Sequence, residues 1–143
     1  MERQYLRRIV NAINKMEGLY EHQAKFSGAN ENEATLLYAL DDGMPHTQKQ
    51  LCEDWMLPRT TVNTIIKKWE SQGYLELKHV KGTRRLKEIC LTQKGREFAC
   101  EVLSDIYEKE DIAMRETLKE CSSKFIDDLE LFTSKLEKVF LEN

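Results

Sequence analysis

Apolar residues recur along most of this chain at helical spacing and change to a strand-like run only once. Residues 3–25 read as a helix. Tyr5, Ile9, Ile13, Met16 and Tyr20 step by four, four, three and four, and Leu6, Ala12 and Leu19 broaden the stripe, so more than one face needs cover. Ser27-Gly28-Ala29-Asn30 breaks this helix. Asn30 or Asn32 can cap the next one, with Glu31 and Glu33 favourable in its first turn. That helix carries Ala34, Leu37 and Tyr38 on one face with Leu36 and Leu40 beside them, and Gly43 after Asp41-Asp42 is a natural stop. Met44-Pro45-His46 reads as a short extended link. Thr47 with Gln50 three residues on has the capping-box pattern, and predicts a third helix holding Leu51, Cys52 and Trp55.

After a brief turn at Met56-Leu57 comes the stretch around which the rest is arranged. Over about 58–72, Val62, Ile65, Ile66 and Trp69 make one apolar helix face, and Pro58 is tolerated in a first turn. The opposite face carries Arg59, Thr60, Thr61, Asn63, Thr64, Lys67 and Lys68, with no acid until Glu70. Donors and cations of this kind suit phosphate oxygens and base edges, although a solvated helix face would look the same in isolation. Gly73 turns the chain, Tyr74, Leu75, Leu77 and Val80 form a β-prone run, and Leu86, Ile89 and Leu91 return it. The tip between them, Lys81-Gly82-Thr83-Arg84-Arg85, is loaded with cations. Two short helices joined by a tight turn and followed by a basic-tipped hairpin make a winged helix–turn–helix, whose second helix is built to enter a major groove. Thr92 can cap a long helix through about Arg115, with Phe98, Val102 and Ile106 flanked by Leu103 and Tyr107. A last helix from about Ser122 to Leu141 carries Phe125, Leu129, Phe132, Leu136 and Val139 in a short heptad-like seam.

The expected fold is therefore mainly α with a small β-wing: a winged helix–turn–helix lobe over 30–96, flanked by terminal helices over 1–29 and 97–143. An apolar stripe is usually core. Here the stripes through Tyr5, Ile9 and Ile13, and through Phe125, Leu129, Phe132 and Leu136, exceed what a small lobe can cover. The reading is a homodimer held by these terminal helices.

Charge sharpens the picture. Net charge is −3 over 143 residues, but residues 55–96 hold 10 basic and 3 acidic side chains while 97–143 hold 6 basic and 13 acidic. A basic centre between acidic flanks presents one positive surface to an anion and keeps the whole soluble. No apolar run reaches the length of a membrane span and Met1–Val10 has no signal-peptide core, so no membrane partner is expected and the expected location is cytoplasmic. Cys52, Cys90, Cys100 and Cys121 have neither C-x-x-C spacing nor a nearby histidine at ligand spacing, so free, mostly buried thiols are expected and no metal. No P-loop, G-x-S-x-G or H-E-x-x-H occurs, and His22, His46 and His79 are scattered; neither a catalytic centre nor a cofactor site is expected.

Thr61-Val62 early in the second helix of the pair, Glu70-x-x-Gly73-Tyr74 at its end, and Leu91-Thr92-x-Lys94-Gly95 after the wing are each weak alone. In this order and spacing the chain resembles the MarR (multiple antibiotic resistance regulator) family of bacterial transcription factors over nearly its whole length. The resemblance implies a homodimer binding a pseudo-palindromic double-stranded operator, usually as a repressor. Recognition-helix residues would read the major groove and a wing arginine, here Arg85 within the wing 80–87, would reach the minor groove. It also implies a small-molecule effector, since many members respond to phenolic or lipophilic ligands between the dimer helices and the DNA-binding lobe. Three positions depart from the pattern: Thr83 stands where an aspartate is frequent, Met56 where glycine is frequent, and Trp69 where leucine is usual. The oxidation-sensing branch uses a cysteine in the first helix, and this chain has none there. The competing reading is a winged helix used for protein contact without DNA; Arg84, Arg85 and the basic centre favour DNA.

Overall fold

The structure, a computed structural model, describes residues 1–142. Its elements in chain order are α1 (Glu2–Ser27), α2 (Glu31–Leu40), β1 (His46–Thr47), α3 (Gln48–Asp54), α4 (Arg59–Ser71), β2 (Leu75–His79), β3 (Lys87–Leu91), α5 (Gln93–Thr117) and α6 (Lys124–Leu141). Local chemistry explains most boundaries. α1 stops at Gly28, which adopts the left-handed conformation (φ 75°) that a residue with Cβ resists. Asn30 caps α2 by accepting from the Glu33 N–H, and Thr47 and Gln50 form the full capping box on α3. Pro58 stands just outside α4 as its N-cap residue rather than within the first turn, because its ψ of 132° is extended.

The three strands form one antiparallel sheet in the order β1-β3-β2. The extended link at Met44-Pro45-His46 contributes more than its sequence suggests, since His46 pairs with Ile89 and makes β1 the third strand. Leu75 pairs with Leu91 and His79 with Lys87, so the wing is in register from its base to its tip. The core lies under the sheet and the helix–turn–helix: Leu36, Leu37, Leu51, Val62, Trp69, Ile89 and Leu103 are fully buried.

Two compact units result, one over Met1–Asp105 and a second from Ile106. The first unit includes α1 and the start of α5 along with the winged lobe. Its α1 buries only Ala24; Tyr5 and Ile13 are exposed and Ile9 is half-buried. In the second unit α6 buries no residue at all, with Phe125, Leu129 and Leu136 exposed and Phe132 half-buried.

The helix–turn–helix turn holds one strained residue. Met56 has φ 50° and is 82% exposed, and the N–H of Leu57 reaches back to the Cys52 carbonyl at 3.1 Å across it. This is the geometry glycine supplies at no steric cost. A side chain in that region costs about 1–2 kcal/mol, and glycine's extra freedom in the unfolded chain returns part of it. Met56→Gly is therefore expected to stabilise the lobe by roughly 0.5–1 kcal/mol, read as a higher denaturation midpoint at unchanged slope. A destabilised variant would mean the methionine side chain contributes packing that its exposure denies.

Candidate nucleic-acid interface

The end of α4 shows why the two motif fragments occur together. Tyr74 N–H bonds to the Trp69 carbonyl at 2.9 Å and Gly73 N–H to the Glu70 carbonyl at 3.0 Å, with Gly73 at φ 78°. This is a Schellman stop, and it leaves the last carbonyls of α4 seeking donors. The segment after β3 supplies them. Thr92 Oγ1 donates to the Gly73 carbonyl at 2.6 Å while accepting from the Gly95 N–H at 3.0 Å, and Lys94 Nζ donates to the Gln72 carbonyl at 2.7 Å. The ammonium of Lys94 also lies 5.0 Å from the centroid of the Tyr74 ring. Phe98 then packs on both flanks of the stop, stacked on Tyr74 at 4.5 Å and edge-on to Trp69 at 5.9 Å. The leucine-to-tryptophan change is thus absorbed by an aromatic contact. α4 is fixed at its C-terminal end by the first turn of α5.

With that end clamped and Val62, Ile65, Ile66 and Trp69 buried, the rest of α4 faces outward. Arg59, Thr60, Thr64, Lys67 and Lys68 are exposed, and Thr61 and Asn63 are half-buried at the edges of the face. Thr64 is less available than its position suggests, because its hydroxyl donates to the Thr60 carbonyl at 2.9 Å. Lys68 is engaged too: its Nζ is 2.8 Å from Glu33 Oε1 on α2. A single-helix view could not show this, since the partner lies on another element.

At the wing tip Lys81, Arg84 and Arg85 are all exposed. The Val80 N–H bonds to the Leu86 carbonyl at 3.0 Å and continues the ladder past β2. Val80–Thr83 is a four-residue turn closed at 3.2 Å, with Gly82 at φ 86° in its third position. Thr83, the departure at the aspartate position, performs a short-range acceptor role: its Oγ1 receives the N–H groups of Arg85 at 3.2 Å and Leu86 at 3.3 Å. The wing therefore folds back at a defined residue without a carboxylate. Among the described residues no ion pair engages Arg59, Lys67, Lys81, Arg84 or Arg85. Five cations held on one helix and one hairpin tip, none of them in an ion pair among the described residues, form a surface for a polyanion.

The thiols correct the expectation that most are buried. All four are free, but only Cys52 is buried; Cys90 is half-buried, Cys100 is exposed on the outer side of α5, and Cys121 is exposed in the turn between α5 and α6. Burial pushes the Cys52 thiol up against the pull of the Arg59 charge, which keeps it protonated and unreactive. No described helix is long and apolar enough to cross a membrane.

A helix–turn–helix with an antiparallel wing, both carrying unpaired cations, defines the class: a winged helix–turn–helix DNA-binding regulator of transcription. Residues 27–86 match the model of the MarR family, and the fold of the whole chain is that of MarR family regulators. A MarR family regulator from Neisseria meningitidis is similar at 25% identity and TM-score 0.79, covering 97% of this chain and 98% of that one. A MarR/EmrR family transcriptional regulator from Acinetobacter sp. ADP1 is similar at 21% identity and TM-score 0.66, covering 99% and 98%. MarR from Staphylococcus aureus, solved in complex with salicylate and kanamycin, aligns at 13% identity and TM-score 0.63, covering 99% and 93%. No curated protein sequence matches the chain.

Proposed function

We propose that this protein is a homodimeric repressor that binds a pseudo-palindromic duplex operator, with α4 in the major groove and the wing over 80–87 in the minor groove. The observation that carries this reading is the set of unpaired cations on α4 and the wing. Arg59 is the most telling, because a cation in the first turn opposes the helix dipole and has no structural reward there. Thr60, Thr61 and Asn63 are short polar groups suited to base edges, Lys67 is suited to phosphate, and Arg84 and Arg85 suit a narrow minor groove. The dimer reading rests on the uncovered stripes of α1 and α6, whose Tyr5, Ile9, Ile13, Phe125, Leu129, Phe132 and Leu136 have no cover that buries them in a single chain. Isolated apolar side chains on a surface are ordinary, but rows of them mark an interface.

The same reading includes an effector site. A cavity of about 240 Å³ is lined by Ser27, Gly28, Trp69, Tyr74, Phe98 and Val102, among others. It adjoins the aromatic clamp on the end of α4, so a small aromatic ligand there would bear directly on the recognition helix. Glu33 and Lys68 also line it, and salicylate, one of the two molecules bound to the Staphylococcus aureus protein, is a small aromatic to try first.

Selection of bound duplexes from a random pool tests the function as a whole. The expected product is a palindromic consensus with half-sites about one helical turn apart, roughly 34 Å, or a multiple of it. An unenriched pool would overturn the reading. Sedimentation should show a dimer, and a monomer at tens of micromolar would remove the dimer from the proposal.

A further inference from the structure

Glu33 and Lys68 are 35 residues apart in sequence and 2.8 Å apart in space. Their surroundings are unequal. The Glu33 side chain is only 16% exposed and its backbone N–H is held by Asn30 Oδ1 at 2.9 Å, whereas the Lys68 side chain is 53% exposed. The carboxylate is therefore fixed, at the N-terminal turn of α2 where the helix dipole favours it, and the ammonium is the mobile partner. Lys68 stands on the flank of α4 shared with Thr61 and Thr64, and the groove along that flank is walled on its other side by Asn30, Asn32 and Glu33. It is the one lysine of α4's outward face with an acid in contact; Lys67, its neighbour, has no ion pair among the described residues.

We propose that Glu33 sets the DNA affinity of the recognition helix by holding Lys68 away from phosphate. In the free protein the ion pair cancels one of the charges on the recognition face. A phosphate must compete with an anchored carboxylate at contact distance, so the cation is discounted in the complex. This rests on the DNA-binding reading above, and goes beyond it by making a residue of α2, outside the helix–turn–helix, a brake on binding to any sequence. Such a brake favours discrimination: phosphate contacts add affinity to all sites alike, while base contacts distinguish them.

Glu33→Gln keeps the size of the side chain and one acceptor oxygen and removes its charge. Binding of the full-length protein to a mixed-sequence duplex long enough for two half-sites is measured across a salt series, alongside the parent, Lys68→Ala and the double variant. Glu33→Gln is expected to bind severalfold tighter at low salt, with a slope of log affinity on log salt steeper by about one unit per recognition helix engaged, the signature of an added phosphate contact. The double variant is expected to match Lys68→Ala in affinity and slope, because with the ammonium gone Glu33 has no cation to hold back. If Glu33→Gln has the parent's affinity and slope while remaining folded by thermal melt, the pair is structural only and the proposal is overturned. If Glu33→Gln tightens binding equally in the Lys68→Ala background, the gain comes from removing an acid near DNA rather than from freeing Lys68, and the proposal is again overturned. A parent that shows no salt-dependent binding at all would instead overturn the DNA-binding reading. Should Glu33→Gln melt early, Glu33→Asp, which keeps the charge but falls a methylene short of Lys68, is expected to reproduce the gain in part; parental binding by Glu33→Asp would count against the brake.

Discussion

Gly95→Ala is expected to destabilise the lobe by about 3 kcal/mol, lowering its melting temperature by roughly 10 °C. A Cβ built at this position would lie 2.0 Å from the Tyr74 carbonyl oxygen and 2.9 Å from its carbonyl carbon, both backbone atoms that cannot swing aside. The expected sign is opposite to the local one. Gly95 is in the first turn of α5, where alanine would ordinarily gain up to about 1 kcal/mol over glycine. The tertiary clash must therefore exceed a favourable propensity. The damage should also extend past stability, because the same junction carries the Thr92 and Lys94 bonds to the end of α4. A thermal melt at fixed protein concentration decides it, and a variant as stable as the parent would show that the junction relaxes without cost.

Arg85→Ala is expected to leave the melting temperature nearly unchanged and to weaken operator binding by roughly tenfold or more, with a salt slope shallower by about one unit. The residue is exposed and makes no ion pair among the described residues, so folding has little to lose. Binding has more to lose. Lys81, Arg84 and Arg85 crowd one turn, an arrangement that is only mutual repulsion in water and becomes favourable beside phosphates. Thr83 gives the test a second arm. Its hydroxyl holds the N–H groups of Arg85 and Leu86, so Thr83→Ala should reproduce part of the loss, while Thr83→Ser, which keeps the acceptor, should not. Arg85→Ala binding as well as the parent would remove it as a contact. If Arg84→Ala shows the loss in its place, the arginine that reaches the groove is the one nearer Gly82.

Much of this protein is legible in its sequence because the relevant physics is local. The capping box at Thr47 and Gln50, the cap at Asn30 and the glycine stops at Gly28 and Gly73 each act within a few residues. The apolar faces of α1, α4 and α6 are set by helical period alone, and so is the outward placement of Arg59 and Lys67. The wing follows from one alternating pair of runs around a glycine-bearing tip.

Tertiary structure alone decided the pairings. Nothing in a local window shows that Lys68 spends its charge on Glu33, or that Thr92 and Lys94 satisfy carbonyls 19 and 22 residues earlier. The left-handed backbone at Met56 was hidden for the same reason, since a methionine does not advertise a conformation it tolerates only at a cost. The thiols depart from the expected burial because residue type predicts burial only on average: Cys100 falls on the outward face of α5 and Cys121 in the turn that follows it. In each case the outcome depends on which distant segment arrives beside a residue. Sequence order carries the helices and strands, while the chain's return upon itself chooses the partners, and those partners determine which of the cations on the recognition face remain free.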